Sequence, residues 1–312
     1  MALYCAEMPQ WNSDNRKLAT PEIRGESRAF RQVVRAFLTS TLRSKDIQRN
    51  HLACGATQTG RMFANPPTAS RIIETEPLCQ KSFAEFGTVI ENPAPSLIPS
   101  LHISSLPSNA VQANQGSALK YLDVTHMIDL YGSAPSHGPA KAVMNMFVCA
   151  PRPLLPSQQV GMAGNFPVKI LERHPFTTQT FIPLGLSASE LQKARYLVVV
   201  APSLSPSPAD DGLPVPTPTE DSGPLPGRGL PDVKNIRAFM ANGAQAVTYG
   251  AGAWHAPMVV IGRNPIDFVV VQFANGVAIE DCQEREPDVE EREQVLVAVA
   301  RPEVSHRRWW KL

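Results

Sequence analysis

Lys169 to Leu184 reads K-I-L-E-R-H-P-F-T-T-Q-T-F-I-P-L, and this stretch decides the fold. It has the pattern of one strand, a turn and a second strand. Residues two apart on a strand face the same way, so Glu172 and His174 are predicted to share a face and Arg173 to point away. Gln179 follows on the second strand. Polar side chains inside an apolar β pattern face water or share a pocket with partners, and we expect a pocket.

A second polar residue within an apolar β pattern is His255, which ends the segment Gly252-Ala253-Trp254-His255. Glu172, His174 and Gln179 have the spacing of the first half of a cupin site, in which a bent hairpin points polar groups into a barrel. The glycine turn followed by His255 has the spacing of the second half. We predict that the two halves meet in one site. The alternative is that each histidine is a satisfied core or rim residue.

The pattern along the chain favours many short strands and few helices. A short helix is predicted from Thr75 to Gly87, and a second at Val233–Asn242, after a cap at Asp232. Strands are predicted at Thr88–Glu91, Ala142–Cys149, Pro167–Arg173, Thr178–Leu184, Arg195–Val200, Ala246–Tyr249, Pro257–Ile261 and Ile266–Phe273. This indicates an all-β fold, a cupin-like (RmlC-like) β-barrel with a few short helices.

Composition divides the chain into a core domain and less ordered ends. Residues 1–70 are predicted to be a disordered extension, and residues 71–286 to form the cupin-like domain. A proline-rich insertion at 202–231 is predicted to be an extended, solvated loop, which accounts for many of the 30 prolines. Residues 287–312 form a C-terminal tail, and the chain from Glu284 onward is predicted to be loosely attached.

The overall charge and the cysteines exclude several function classes. Net charge is +1 with 18% charged residues, which gives no electrostatic case for nucleic-acid or membrane binding. Five scattered cysteines without a C-x-x-C pair argue for a reducing compartment and against a zinc ribbon or disulfide framework. No run approaches the ~18 apolar residues of a membrane span. A cytoplasmic location is the expectation.

The four polar residues of the predicted site suit two kinds of chemistry. One is a divalent metal held by Glu172, His174, Gln179 and His255, although an amide is a weak ligand. The other needs no cofactor: His174, His255 and Glu172 transfer protons directly, because imidazoles titrate near neutral pH. The residues leave both readings open.

Six segments, in order, resemble the ureidoglycolate lyase family over roughly residues 72 to 286. They are F-A-E-F-G-T-V-I-E (Phe83–Glu91), N-Q-G-S-A-L-K-Y (Asn114–Tyr121), L-E-R-H-P-F-T-T-Q-T-F-I-P-L (Leu171–Leu184), R-A-F-M-A-N-G (Arg237–Gly243), W-H-A-P (Trp254–Pro257) and I-D-F-V-V-V (Ile266–Val271). The E-R-H-P and W-H motifs are specific in combination. The chain departs from the family in its N-terminal extension, its proline-rich insertion and Ala256, where some relatives carry a second histidine.

The resemblance implies a cupin-like barrel, usually a homodimer, that cleaves (S)-ureidoglycolate to glyoxylate and urea in allantoin and purine catabolism. It implies a carbon–nitrogen lyase of the amidine-lyase type. On this reading His174 and His255 share the proton transfers and Glu172 orients one of them. The remaining candidates contact the substrate: Gln179 at the ureido group, Lys120 and Asn114 at the carboxylate, and Trp254.

Two other functions remain open from the sequence. One is an amidohydrolase that acts on the same substrate and releases ammonia and carbon dioxide, a reaction that commonly uses metal-activated water. The other is a non-catalytic cupin that binds a small carboxylate. The first would give ammonia instead of urea, and the second would give saturable binding without turnover.

Overall fold

Strands are the main regular structure in the part of the chain that the computed structural model describes, which is residues 69–103, 105–217, 228–287 and 293–302. The strands in these ranges are β1 (Ala69–Pro77), β2 (Gly87–Ile90), β3 (Ala110–Ala113), β4 (Ala118–Tyr121), β5 (Lys141–Cys149), β6 (Met162–Pro167), β7 (Leu171–Arg173), β8 (Gln179–Leu184), β9 (Arg195–Ala201), β10 (Arg237–Asn242), β11 (Ala246–Tyr249), β12 (Trp254–His255), β13 (Val259–Ile261), β14 (Ile266–Ala274), β15 (Gln283–Arg285) and β16 (Glu293–Ala300). The α-helices are single turns: α1 (Gln80–Phe83), α2 (Ala188–Leu191) and α3 (Ala278–Asp281).

Two large sheets hold the fold together. The nine-stranded sheet has the order β15-β7-β12-β9-β10-β1-β16-β6, with β13 also paired to β9. The five-stranded sheet has the order β2-β11-β8-β14-β5, and β3 and β4 form a separate hairpin. The two long sheets and the single-turn helices make this an all-β, cupin-like fold, as predicted.

The nine-stranded sheet is buried on both faces at its centre, along β9. On β9, Tyr196, Val198 and Val200 contribute to one hydrophobic cluster, together with Phe181 and Phe268 of the five-stranded sheet. The alternate residues of β9 join a second cluster on the opposite face. A strand that is covered on both sides reads as a continuous apolar run, which explains the L-V-V-V-A of this strand.

Two predicted helices are wrong in type or extent. The segment predicted as a helix at Val233–Asn242 is a 3-10 turn, Val233–Asn235, followed by β10. Asp232 does cap the turn, because its carboxylate accepts from the Lys234 amide at 3.0 Å. Six residue pairs with β9 then hold the chain extended. Thr75–Pro77, predicted to begin the first helix, end β1 instead, where they pair with β10. Only Gln80–Phe83 is helical.

The chain after Glu284 is not a loosely attached end throughout. Residues 293–300 form β16, which lies between β1 and β6. Its residues Val295 to Val299 are buried. Alternating valines place one side of the strand in the second cluster. The prediction is therefore wrong for this segment, because burial of its apolar residues fixes it in the sheet.

The proline-rich insertion is anchored where the sequence predicts only a solvated loop. Ser203 and Pro231 form a bridge at its base. Inside it, Pro216 is buried and the Pro214 carbonyl accepts from the Gln283 amide at 2.7 Å. Residues 204–209 are exposed, as predicted. Residues 218–227 lie outside the described ranges, as does nearly all of the predicted N-terminal extension.

Helices cross membranes only when they are long and apolar. Among the described residues, no helix meets both conditions.

Candidate active site

His255 and Glu172 face each other on neighbouring strands. They are direct partners in the antiparallel register of β12 and β7. His255 Nε2 lies 3.5 Å from Glu172 Oε1, and the histidine is 1% exposed. The chain reaches β12 through a turn in which Gly252 has φ 78°, a left-handed conformation that favours glycine. The predicted glycine turn before His255 is thus present.

His174 follows β7 and joins the same cluster. Its ring centroid lies 5.7 Å from that of His255. Its Nδ1 donates to the carbonyl oxygen of Asp281 at 2.6 Å. Its Nε2 is buried and has no hydrogen-bond partner. Ligand atoms of Glu172, His174 and His255 all lie within 4.8 Å of one another, so the two predicted half-sites converge.

Gln179 completes the group from the five-stranded sheet. Its Oε1 lies 3.2 Å from His255 Nε2, and its amide nitrogen donates to Gln272 Oε1 at 2.7 Å. Gln272 is the direct register partner of Gln179 on β14. The other three residues that the sequence predicts for the two half-sites, Glu172, His174 and Gln179, therefore all lie close to His255.

The hydrogen bonds of the two rings determine where their lone pairs point. Nδ1 of His255 is 2.9 Å from the Ala253 carbonyl, and Nδ1 of His174 faces a carbonyl as well. Carbonyl oxygens only accept, so both Nδ1 atoms carry hydrogen. A neutral ring then directs its Nε2 lone pair into the site. His255 Nε2 faces Gln179 Oε1 and Glu172 Oε1. A positive charge between these atoms, either a proton or a cation, would therefore be stabilised.

This donor set fits a divalent metal ion. Two imidazole nitrogens and one carboxylate are the three protein ligands typical of a catalytic site with open positions, and fixed Nδ1 donors are the usual outer support of such ligands. A second group near Glu172 includes Cys282. Burial and then the charge of Glu172 raise the pKa of this thiol to about 12, which makes it a poorer ligand than either histidine.

Burial keeps His174 neutral. It lowers the pKa of His174 to about 4, and repulsion from His255 acts in the same direction. For Glu172, burial works to raise the pKa, but the hydrogen bond from His255 and the charges of both rings outweigh it, so the pKa lies below its ordinary value. At neutral pH the site therefore holds a neutral His174 beside a charged carboxylate.

The lowered pKa of His174 predicts an acid-sensitive fold. The unfolded state takes up this proton near pH 6.5 and the folded state near pH 4, so stability is complete above 6.5 and falls as the pH drops toward 4. Between pH 7.5 and 5 the metal-free protein should lose about 2 kcal/mol through this residue. Urea denaturation of wild type and His174→Gln measures it. Equal pH dependence in the two proteins would contradict the assignment.

Three residues that the sequence analysis missed support the site. Tyr249 stacks on His255, with ring centroids 3.8 Å apart and an angle of 9° between planes. Asp281 orients His174 through its carbonyl, and its carboxylate accepts from the Tyr131 hydroxyl at 2.6 Å. Gln272 orients the Gln179 amide. Tyr249 could have been found from alternation along β11, whereas Asp281 acts through its backbone and leaves no signal in the sequence.

Trp254, predicted to contact the substrate, is not at the site. Its side chain is 0% exposed and belongs to the second cluster. Its indole nitrogen donates to the Gly229 carbonyl at 3.1 Å, and the Arg173 guanidinium lies 4.5 Å from its ring centroid. Alternation along β12 explains the result, because His255 occupies the site face and Trp254 the opposite one. This prediction is corrected.

Arg173 is a structural residue, in agreement with its predicted direction away from Glu172. It is fully buried. Its Nε donates to Gln283 Oε1 at 2.8 Å, and its Nη1 donates to the Gly229 carbonyl at 3.0 Å. It therefore ties the end of the proline-rich insertion to the strand that carries Glu172.

Lys120 and Asn114 lie on the separate β3–β4 hairpin. Lys120 is on β4, and Asn114 begins the turn before it; both are exposed. Among the described hydrogen bonds, none joins either side chain to the histidines or to Glu172. Their contact with a substrate carboxylate stays a prediction.

Comparison with known proteins identifies the family of this chain. The profile of the ureidoglycolate lyase family matches residues 70–294. A ureidoglycolate lyase of Schizosaccharomyces pombe is 37% identical over 211 residues, which is 68% of this chain and 89% of the relative. One of Saccharomyces cerevisiae is 34% identical over 64% of this chain and 85% of the relative. One of Burkholderia mallei is 29% identical over 64% and 82%, respectively. The chain therefore belongs to the ureidoglycolate lyase family.

Proposed function

We propose that this protein is a carbon–nitrogen lyase that cleaves (S)-ureidoglycolate to glyoxylate and urea, a step of purine catabolism. The alignments with the relatives named ureidoglycolate lyase cover most of the length of those relatives. The single observation that carries the proposal is the convergence of Glu172, His174 and His255 in one buried group. Such a group can take a proton from one atom and deliver one to another atom on the same carbon of a small substrate.

The reaction requires only one proton to move. Ureidoglycolate carries a hydroxyl, a carboxylate and a ureido nitrogen on the same carbon. When a base removes the hydroxyl proton, the electron pair forms the aldehyde carbonyl and the carbon–nitrogen bond breaks. The leaving nitrogen takes up a proton to give urea. Atoms balance without water, because one proton leaves oxygen and one reaches nitrogen.

Glu172 suits the role of proton carrier better than either histidine. Its carboxylate is charged at neutral pH and 17% exposed, whereas His174 is neutral and His255 is enclosed. We therefore assign the proton transfer to Glu172 and revise the roles expected from the sequence. The two Nε2 atoms and one carboxylate oxygen of Glu172 would hold a divalent ion, with Gln179 beside them, and the other oxygen of Glu172 would carry the proton. Such an ion would supply Lewis-acid polarisation of the substrate oxygens.

Gln179 is placed to recognise the ureido group. Its oxygen is turned toward the site because its amide nitrogen is engaged by Gln272. An amide oxygen accepts from the N–H groups of urea. Lys120 and Asn114 stay as proposed contacts of the substrate carboxylate, by attraction between opposite charges and amide donation.

The products of the reaction test this proposal. Chelator-treated protein is incubated with (S)-ureidoglycolate in a urease-free assay, before and after addition of Mn²⁺, Ni²⁺ or Zn²⁺, and urea and ammonia are both quantified. We expect equal amounts of urea and glyoxylate, with little ammonia. Ammonia without urea would indicate the amidohydrolase. Saturable binding without either product would indicate a non-catalytic cupin.

We also propose that the protein is a homodimer that pairs through β5. This strand is at the edge of the five-stranded sheet, where Met144 is 75% and Met146 58% exposed. Antiparallel pairing of two copies centred on Asn145 would set each Met144 opposite the partner's Met146, with no like charges opposed. Such self-complementary pairing is what a two-fold interface needs.

Disruption of this edge tests the dimer. We expect a dimer mass for wild type and a monomer mass for Met146→Lys by light scattering, because buried lysines oppose the apolar contact. Ile98→Lys is the matched control, since Ile98 is 79% exposed and outside the strand. A Met146→Lys protein that stays dimeric would contradict this interface.

A cytoplasmic location is proposed as well. Among the described residues Cys79, Cys149 and Cys282 are free thiols, which is the state expected in a reducing compartment.

A further inference from the structure

A large groove lies away from the candidate active site. It is a groove of about 870 Å³, lined by residues of β1, β6, β9, β10, β13 and β16. Small-molecule sites commonly have volumes of about 300–1,000 Å³. Arg195 begins β9 at the groove, and Val200 on the same strand is the register partner of His255. At about 3.3 Å per residue, the two sites are roughly 16 Å apart along β9.

Five cationic side chains from four segments of the chain line this groove, which we call the basic groove. They are Arg152, Lys193, Arg195, Arg263 and Arg301. In the described part of the chain none of the five forms an ion pair with a carboxylate. The one acidic residue lining the groove is Glu76, whose carboxylate is held by Arg237 at 2.9 Å. The groove is therefore strongly positive in a chain whose net charge is only +1.

Contacts hold three of these guanidinium groups in place and leave part of their N–H donors available. Arg195 donates from Nη1 to a neighbouring carbonyl at 2.9 Å. Arg301 donates from Nε to the Met162 carbonyl at 2.9 Å. The Arg152 guanidinium lies 5.5 Å from the Phe166 ring centroid. Guanidinium groups that are held in place recognise phosphate oxygens with two parallel hydrogen bonds. This arrangement favours a phosphorylated ligand over a single carboxylate.

Part of the groove lining, which we call its apolar floor, consists of apolar side chains. Leu154, Met240 and Ile261 line it together with the cations and pack against the second hydrophobic cluster. A ligand that uses the whole groove therefore has an anionic part for the arginines and a flat or apolar part for the floor. A nucleic acid would need positive charge over a much larger area than one groove. An acidic peptide would leave the apolar floor without a matching group.

We propose that the basic groove binds a phosphorylated small molecule of nucleotide size, with its phosphates at Arg152, Arg263 and Arg301. This site is independent of the lyase chemistry and does not require it. Binding should weaken steeply with salt, because the attraction between unit charges is screened.

Titration calorimetry with the full-length protein tests the proposal, using ADP, pyrophosphate, adenosine and a short single-stranded DNA. We expect ADP to bind more tightly than pyrophosphate, and adenosine to bind weakly or not at all. Arg152→Gln and Arg263→Gln together should weaken ADP binding by at least about tenfold, which is the effect of about 1.4 kcal/mol. Lys234→Gln removes an exposed charge outside the groove and should leave binding unchanged.

Urea release from ureidoglycolate by the same double variant is the second readout. We expect it to equal that of wild type, which shows that the variant is folded and that the two sites are separate. The proposal is overturned if ADP does not bind below about 1 mM, a range that corresponds to roughly −4 kcal/mol. It is also overturned if the double variant binds ADP as well as wild type, or if the DNA is preferred over ADP.

Discussion

His255→Gln should reduce kcat/KM for ureidoglycolate at least about a thousandfold, which corresponds to roughly 4 kcal/mol of lost transition-state stabilisation. The residue is the centre of the site: its Nε2 faces Glu172 at 3.5 Å and Gln179 at 3.2 Å. Glutamine keeps a polar side chain of similar length but has no ring nitrogen to hold a proton or an ion. The measurement is urea release at saturating and limiting substrate, with the bound metal content determined on the same sample.

The matched control is His102→Gln, the same chemical change at an exposed position. It should retain wild-type turnover. Circular dichroism of His255→Gln should show the wild-type β spectrum. Loss of the imidazole ring removes its stacking on Tyr249 but leaves the strand pairing of both sheets intact. A folded His255→Gln protein with a tenth or more of the wild-type activity would exclude His255 from the reaction.

Glu172→Gln should reduce kcat by about a thousandfold and change KM by less than about threefold, in line with the loss of a proton carrier. The substitution keeps the shape of the side chain and removes its ability to take a proton. Both histidines are left in place, so metal binding should weaken less than in His255→Gln. Steady-state kinetics and metal content together separate these effects.

Glu74→Gln is the control for this change, because Glu74 is exposed on β1, away from the site. It should behave as wild type. If Glu172→Gln raises KM strongly and leaves kcat unchanged, Glu172 binds substrate and carries no proton. If the variant turns over normally, the assignment of the proton transfer is wrong.

Strand periodicity predicts the essential geometry of the site. The two-residue repeat correctly placed Glu172 and His174 on one face and Arg173 on the other. The same rule, applied to β12, would have sent Trp254 away from the face of His255. The error there came from including a neighbour of a site residue without regard to its direction. Local sequence therefore contained more information than the prediction used.

The other errors have a different physical cause. Asp232 is a genuine cap, but the helix it begins stops after one turn because β9 offers a partner for every residue of β10. Similarly, Val295, Val297 and Val299 have the alternation of a strand, yet their place between two distant strands depends on the whole fold. Long-range pairing decides such segments, and a local pattern cannot reveal it.

The proposed active site requires His174 and His255 to act as one unit, and a double-mutant cycle on urea release measures this most directly. Substitutions of residues that act together in one active site have non-additive effects on the activation free energy. Each single change to glutamine should nearly abolish turnover, and the double variant should be no slower than the slower single variant. Losses that multiply in the double variant, or a single variant that turns over like wild type, would show that the two rings serve separate purposes.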